Sequence, residues 1–192
     1  MSDPQEYLDM NLEQARFNMI EQQIRPWDVL DAPVLELLGV VKREDFVPLA
    51  HKAMAFVDME VPLRSPTDEA MRLGQCMLVP KVEARLLQDL HVHKHETVLE
   101  IGAGSGYMAA LLAHRAQRVV SLEIVPELAA MARGNLQRAG VHNAEVREAD
   151  GASNAAVQGP YDVIVLSGSV AEVPASLLAQ LKVGGRLAAI VG

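Results

Sequence analysis

The chain has 192 residues, half of them hydrophobic and 22% charged, the balance of one globular domain that needs no disulfide or metal staple. A single cysteine excludes a disulfide framework and a multi-cysteine zinc site. With 17 basic against 25 acidic residues and a net charge of −8, a phosphate-tracking surface is excluded, and with it a nucleic-acid partner. The first twenty residues have no basic start and no apolar run, and nothing approaches the ~18 apolar residues of a membrane span. A cytoplasmic protein with no membrane partner is the expectation.

Charge and pattern divide the chain near residue 90. Residues 1–90 hold 16 acids and 9 bases, whereas residues 91–192 hold 9 and 8. The first part reads as a helical cap with a loop. Leu12, Ala15, Phe17, Met19, Ile20 and Ile24 form a broad helical stripe over 11–24, and 28–41 reads as one or two short helices interrupted at Pro33. From 46 to 80 the period fails under Pro48, Pro62, Pro66, Gly74 and Pro80, which predicts an irregular stretch with at most short strands. Helical spacing returns at 81–90, and Trp27 is expected to anchor the N-terminal helices.

Beyond residue 96 strands and helices alternate. Strands are predicted at 97–101, 118–124, 144–149, 161–166 and 186–191. Helices are predicted at 105–115, from Pro126 to a stop at Gly140, and from Pro174 through Lys182 ahead of a Gly184–Gly185 turn. This order implies right-handed crossovers and an α/β, Rossmann-like, doubly wound parallel sheet with helices on both faces.

Such sheets bind ligands at the carboxyl ends of their strands. The first strand here runs into E-I-G-A-G-S-G-Y, Glu100 to Tyr107, with Gly102, Gly104 and Gly106 in the loop and Glu123 at the end of the next strand. An acid at that place can accept ribose hydroxyls. A nicotinamide dinucleotide and S-adenosyl-L-methionine both fit so far. The dinucleotide fingerprint needs Gly or Ala where Tyr107 stands. A carboxylate at Glu100 would repel a pyrophosphate and suit a cation, and Asp150–Gly151 could place a carboxylate at the adenine amino group, or serve only as a turn. Glu100, the glycines, Tyr107, Glu123, Asp150 and Gly151 are therefore the candidate binding residues for S-adenosyl-L-methionine. His91, His93 and His95 alternate but lack a matched carboxylate or thiolate, so no metal is expected; Cys76 reads as a small buried hydrophobe.

From about residue 11 onward the chain resembles the protein-L-isoaspartate O-methyltransferases, a family of class I S-adenosylmethionine-dependent enzymes. The resemblance rests on I-E-Q-Q-I-R at 20–25, R-E-D-F-V-P at 43–48, G-Q at 74–75 and the glycine loop. P-E-L-A at 126–129, Y-D-V-I-V at 161–165, E-V-P at 172–174 and L-K-V-G-G-R-L at 181–187 extend it. It implies methyl transfer to isoaspartyl carboxylates of damaged proteins and peptides, the first step of repair. A carboxylate is already ionised at neutral pH, so no general base is needed and the lack of a nucleophile–histidine pair is uninformative.

The family uses a serine within Q-T-I-S-Q-P; here Q-C-M-L-V-P puts Leu78 at that position and Cys76 at the threonine's. Ser65, Thr67, Ser167 and Ser169 are the candidate substitutes, and no catalytic residue is assigned. Alternatives are a methyltransferase of another acceptor and a non-catalytic binder of the same ligand. Residues 65–71 look like an extension near the acceptor mouth. The resemblance further implies a helix and an antiparallel strand pair after the fifth strand. The sequence stops at Gly192, so that pair is expected to be missing and 186–191 to form a bare edge, or to pair with another segment.

Overall fold

A computed structural model describes residues 4–153 and 158–192. Helix α1 (Pro4–Met19) runs without a break into a π turn, Ile20–Ile24, and a 3-10 turn, Arg25–Trp27, ended by Asp28 at φ 59°. Helix α2 spans Ala32–Val40, and the Asp31 side chain caps it by accepting the Val34 N–H at 3.1 Å. Pro33 lies in its first turn, so it starts this helix where an interruption was predicted. A missing N–H has no consequence there because first-turn N–H groups have no helical partner.

The 46–80 stretch is more ordered than its prolines suggest. Strands β1 (Val61–Pro62) and β2 (Cys76–Met77) pair antiparallel, and helix α3 (Thr67–Arg72), preceded by Pro66, lies between them. Residues 65–71 are thus mostly helix. Helix α4 (Pro80–Leu90) follows and presses Ala84, Leu87 and Leu90 into the core. Trp27 is half exposed and meets α4 at the surface, with Lys81 Nζ 4.8 Å from its ring centroid.

The sheet then forms from β3 (Thr97–Ile101), β4 (Arg118–Glu123), β5 (Ala144–Glu148), β6 (Tyr161–Val170) and β7 (Leu181–Val191). All neighbours are parallel and the order is β5-β4-β3-β6-β7, so the chain reverses direction across the sheet between β3 and β6. Helices α5 (Tyr107–Arg115), α6 (Pro126–Arg138) and α7 (Ala175–Leu178) make the crossovers. The last helix is shorter than predicted and β7 begins earlier. Tyr161 N–H donates to the Gln180 carbonyl at 2.8 Å and Tyr161 pairs with Leu181, which draws 181–182 into the ladder. A register shift between Tyr161 and Val163, with Gly184 at φ +81°, absorbs the turn inside the strand.

Side chains alternate across the sheet as its pleat requires. Val98, Val119, Val163 and Val165 face a large core with α4, α5, α6 and the cap, whereas Leu99, Val120, Leu122, Ile164 and Leu166 face a smaller one with Leu177 of α7. The helical cover is therefore very uneven. The sheet ends in the parallel pair β6–β7, and among the described residues β7 pairs on one side only. No described helix is long and apolar enough to cross a membrane.

Arg43 joins three segments of the cap and sets them against α5. It is wholly buried; Nε donates to the Ala55 carbonyl at 3.0 Å, Nη2 to the Leu78 carbonyl at 2.7 Å, and Nη1 pairs with the Glu83 carboxylate. Its guanidinium carbon lies 5.2 Å from the centroid of the Tyr107 ring on α5, which Phe46 meets edge-on. A second buried pair, Arg16–Glu44, attaches α1 beside it. Arg43→Ala strands the Glu83 carboxyl, and breaking a buried pair at one end costs about 3–5 kcal/mol. Urea unfolding should show that loss, with Arg43→Met/Glu83→Gln recovering part of it. A loss under ~1 kcal/mol for Arg43→Ala would mean that the pair does not hold the cap.

Candidate functional site

The carboxyl ends of β3, β4, β5 and β6 surround a cleft of about 240 Å³. Ile101, Ile124, Leu166, Val170 and Leu177 give it apolar walls; Glu123 and Asp150 supply carboxylates, and among the described residues no lysine, arginine or histidine lines it. Gly102, Gly151 and Ser169 also belong to the lining. Gly151 fits so closely that a Cβ there would come within 2.6 Å of Ile101 Cγ2.

The loop between β3 and α5 is held by its own geometry. Gly102, Gly104 and Gly106 all have positive φ, at +89°, +52° and +84°. Gly106 needs glycine twice over, because a Cβ would also lie 3.1 Å from the Ala132 carbonyl oxygen of α6. Glu123 secures the same loop. Its carboxylate accepts the Gly104 N–H at 2.9 Å and the Val125 N–H at 3.0 Å, leaving lone pairs free at the cleft. Asp150 accepts the Ala152 N–H at 2.9 Å, so the turn role and the cleft position coexist.

Beneath the loop lies a second space, a cavity of about 20 Å³ lined by Leu78, Glu83, Glu100, Gly104, Tyr107 and Ser167 among others. Gly102 lines both spaces. Four predicted binding residues, Glu100, Gly104, Gly106 and Tyr107, do not line the cleft. Tyr107 does not line the cleft: Phe46 and Arg43 cover its ring, and its buried hydroxyl has no partner. Glu100 lies beneath the loop, in the second cavity. It is fully buried, with Ser121 Oγ at 2.5 Å and Ser167 Oγ at 2.8 Å, and burial pushes it up to about 8. Gly106 likewise serves the packing of α6 and does not line the cleft.

Among the candidate hydroxyls, Ser65 and Thr67 are exposed around the start of α3, Ser169 lines the cleft, and Ser167 shares the cavity with Leu78. Residues 65–71 are tethered near the loop through Leu63, whose Cδ1 lies 3.2 Å from where a Gly104 Cβ would be. Burial and nearby Glu60 push the Cys76 thiol up to about 12, which leaves it unreactive. On an exposed loop His93 stacks on His95 and meets His91 edge-on, and no described group of His, Cys, Asp or Glu is arranged to hold a metal ion. Sequence reasoning missed Arg43, Glu83 and Ser121. Arg43 stood inside the quoted R-E-D-F-V-P segment, where a cation between apolar stretches was the available signal. Burial pushes Glu83 up to about 7 although Arg43 beside it pulls the other way.

The protein-L-isoaspartate(D-aspartate) O-methyltransferase family model matches residues 14–192. The chain belongs to this family. It is 41% identical over 177 residues to the protein-L-isoaspartate O-methyltransferase of Methanoculleus marisnigri, covering 92% of this chain and 77% of that one. It is 38% identical to protein-L-isoaspartate O-methyltransferase 1 of Syntrophobacter fumaroxidans, covering 95% and 82%. A solved protein-L-isoaspartate O-methyltransferase superposes with a TM-score of 0.71 at 26% identity; the match covers 92% of this chain and 54% of that one. A Plasmodium falciparum structure, described as a complex with S-adenosyl-L-homocysteine, superposes at 0.70 with 18% identity and shows the shared fold.

S-adenosyl-L-methionine is the cofactor of protein-L-isoaspartate O-methyltransferases, and the cleft fits it. Apolar walls suit a flat base, the carboxylates suit hydroxyl and amino donors, and a lining without cations suits a positively charged ligand that carries no phosphate. Glu100 makes the fold pH-sensitive. The unfolded carboxyl ionises near 4.5 and the folded one near 8, so its stabilising contribution is complete below 4.5 and is lost as pH rises through 8. Glu100→Gln removes that titration. Thermal unfolding should show the wild type losing stability relative to the variant between about pH 5 and 8.5. Parallel pH curves would mean that the folded carboxyl is ionised throughout.

Proposed function

We propose that this protein transfers a methyl group from S-adenosyl-L-methionine to the free carboxylate of isoaspartyl residues in damaged proteins. The observation that carries the reading is the cleft at the carboxyl ends of β3–β6, with two carboxylates and no cation, in a chain that matches the family over 14–192. The cofactor supplies an electrophilic methyl group on a sulfonium. Glu123 and Asp150 hold its hydroxyl and amino groups, Gly102 and Gly104 bring backbone close to it, and the apolar walls take the base. Residues 76–78 and Ser167 line the cavity that adjoins the cleft at Gly102, and on this reading they face the acceptor. The acceptor carboxylate oxygen forms a bond to the methyl carbon as the carbon–sulfur bond breaks, and no proton moves. Orientation by the cap therefore supplies the protein's main contribution. Residues 1–90 build the acceptor side and 91–192 the cofactor side of one structural unit. Nucleic acid and membrane are not partners on this reading, and the single cysteine and acidic charge suit the cytoplasm.

Leu78 favours a second reading, a methyltransferase of another acceptor, because its side chain cannot hydrogen-bond a carboxylate or a peptide. Labelled S-adenosyl-L-methionine offered with an isoaspartyl peptide and its aspartyl control separates the two. Label on the isoaspartyl peptide alone is the expected result, and label on neither, with the cofactor bound, supports the second reading. Leu78→Ser should raise isoaspartyl turnover; no change would show that another group holds the acceptor. Glu123→Ala should weaken cofactor binding by about 1.5–3 kcal/mol, the range for hydrogen bonds to a charged group. Equal affinity in calorimetry would remove Glu123 from the site.

A further inference from the structure

The environment of Glu100 goes beyond what cofactor binding alone requires. Both oxygens of this fully buried carboxyl meet hydroxyls, Ser121 from β4 and Ser167 from β6, and among the described residues no lysine, arginine or histidine bonds it. Enclosure without a counter-ion biases the carboxyl toward its protonated form, against the pull of the two serine hydroxyls, which favour the anion. The other groups facing it add to that bias. Glu123 from β4 and Glu83 from α4 bring further negative charge, while the cation Arg43 is engaged with Glu83. Tyr107 of α5 and Cys76 of β2 complete the titratable lining of the cavity. That cavity adjoins the cleft at Gly102, and the buried, unpartnered Tyr107 hydroxyl leaves its polar lining incompletely satisfied.

We infer that Glu100 is a specificity residue that reads the charge of the cofactor, releasing its proton when cationic S-adenosyl-L-methionine enters the cleft and regaining one when neutral S-adenosyl-L-homocysteine replaces it. The inference rests on the cofactor reading proposed above. On entry the carboxyl O–H bond breaks, its electron pair stays on Glu100 and the proton passes to solvent. Methyl transfer consumes the acceptor's negative charge and the sulfonium's positive charge together, the sulfur keeping the electron pair of the broken bond. Glu100 is then left as an unbalanced buried anion, and one proton returns to it. The product meets a neutral carboxyl and loses the attraction that held the substrate, which favours exchange of product for fresh cofactor.

Calorimetry on the 192-residue chain near pH 7, in buffers of different ionisation enthalpy, reads the proton directly. S-adenosyl-L-methionine binding should release close to one proton and S-adenosyl-L-homocysteine binding none. Across about pH 6 to 8 the affinity for the former should rise by up to about tenfold per unit, as linkage requires when one proton leaves on binding, while the latter stays flat. Glu100→Gln should bind S-adenosyl-L-methionine without proton release. Binding of both ligands with equal proton release, or with none, overturns the inference and leaves the cofactor reading standing. Release that persists in Glu100→Gln assigns the proton to another group, with Glu83 first in line, and overturns it as well. If neither ligand binds, the cofactor reading fails and the inference falls with it. The comparison of the two ligands on the wild-type protein decides the matter even if the variant does not fold.

Discussion

The Arg43 guanidinium is the constraint on which the arrangement of the cap against α5 depends. The cap has no extended sheet of its own, and its turns and two-residue strands cannot satisfy many backbone carbonyls locally. Arg43 answers two of these, at Ala55 and Leu78, and sets its charge over the Tyr107 ring while Glu83 balances it. An apolar residue of the same volume would fill the space and leave both carbonyls buried without donors, each at a cost of about 1–3 kcal/mol. The planar five-donor geometry of arginine serves here in a way that lysine's point charge could not.

The same junction sets the depth of the binding region. Because Tyr107 is fixed from the cap side, α5 starts at a fixed height above β3, and the glycine loop must pass between that helix start and the cleft. Gly106 lets α6 come within contact of the loop, and Asn135 of α6 donates to the Ser105 carbonyl at 2.8 Å to hold it there. Glu123 meets the loop from the opposite side through the Gly104 N–H. The loop is therefore positioned by packing and by backbone bonds before any ligand arrives, which lowers the ordering cost of binding.

The parallel core was legible in the sequence because its information is local. Short β-branched runs at 97–101, 118–123 and 161–166 alternate with helical stripes, and Pro126 and Gly140 mark one helix at both ends. Gly102, Glu123, Asp150 and Gly151 line the cleft for a related reason, since each sits at a strand end whose place follows from topology. Pro33 and Pro66 misled because proline stops a helix from within yet suits its first turn or the position before it, and composition alone does not tell these apart. Glu100 and Tyr107 were misplaced because what surrounds them lies far off in sequence. Ser167 reaches Glu100 across 67 residues, and Tyr107 is covered by Arg43 and Phe46 from the cap. The early start of β7 depends on a Tyr161–Leu181 pairing that no window of local sequence contains.

Leu78 shows how the fold separates what must be kept from what can change. Arg43 binds the backbone carbonyl at this position, and a carbonyl is present whatever the side chain. The segment from Cys76 to Leu78 is thus placed by β1–β2 pairing and by Arg43, without any demand on the residue-78 side chain. A serine there could be lost without releasing the segment from the core. What changes is the hydrogen-bonding capacity of the cavity wall, and Ser167 supplies a hydroxyl to that same wall. Ser167 donates its proton to Glu100 and keeps its oxygen lone pairs, so toward an acceptor peptide it offers an acceptor of hydrogen bonds. A peptide N–H matches that offer and a carboxylate does not.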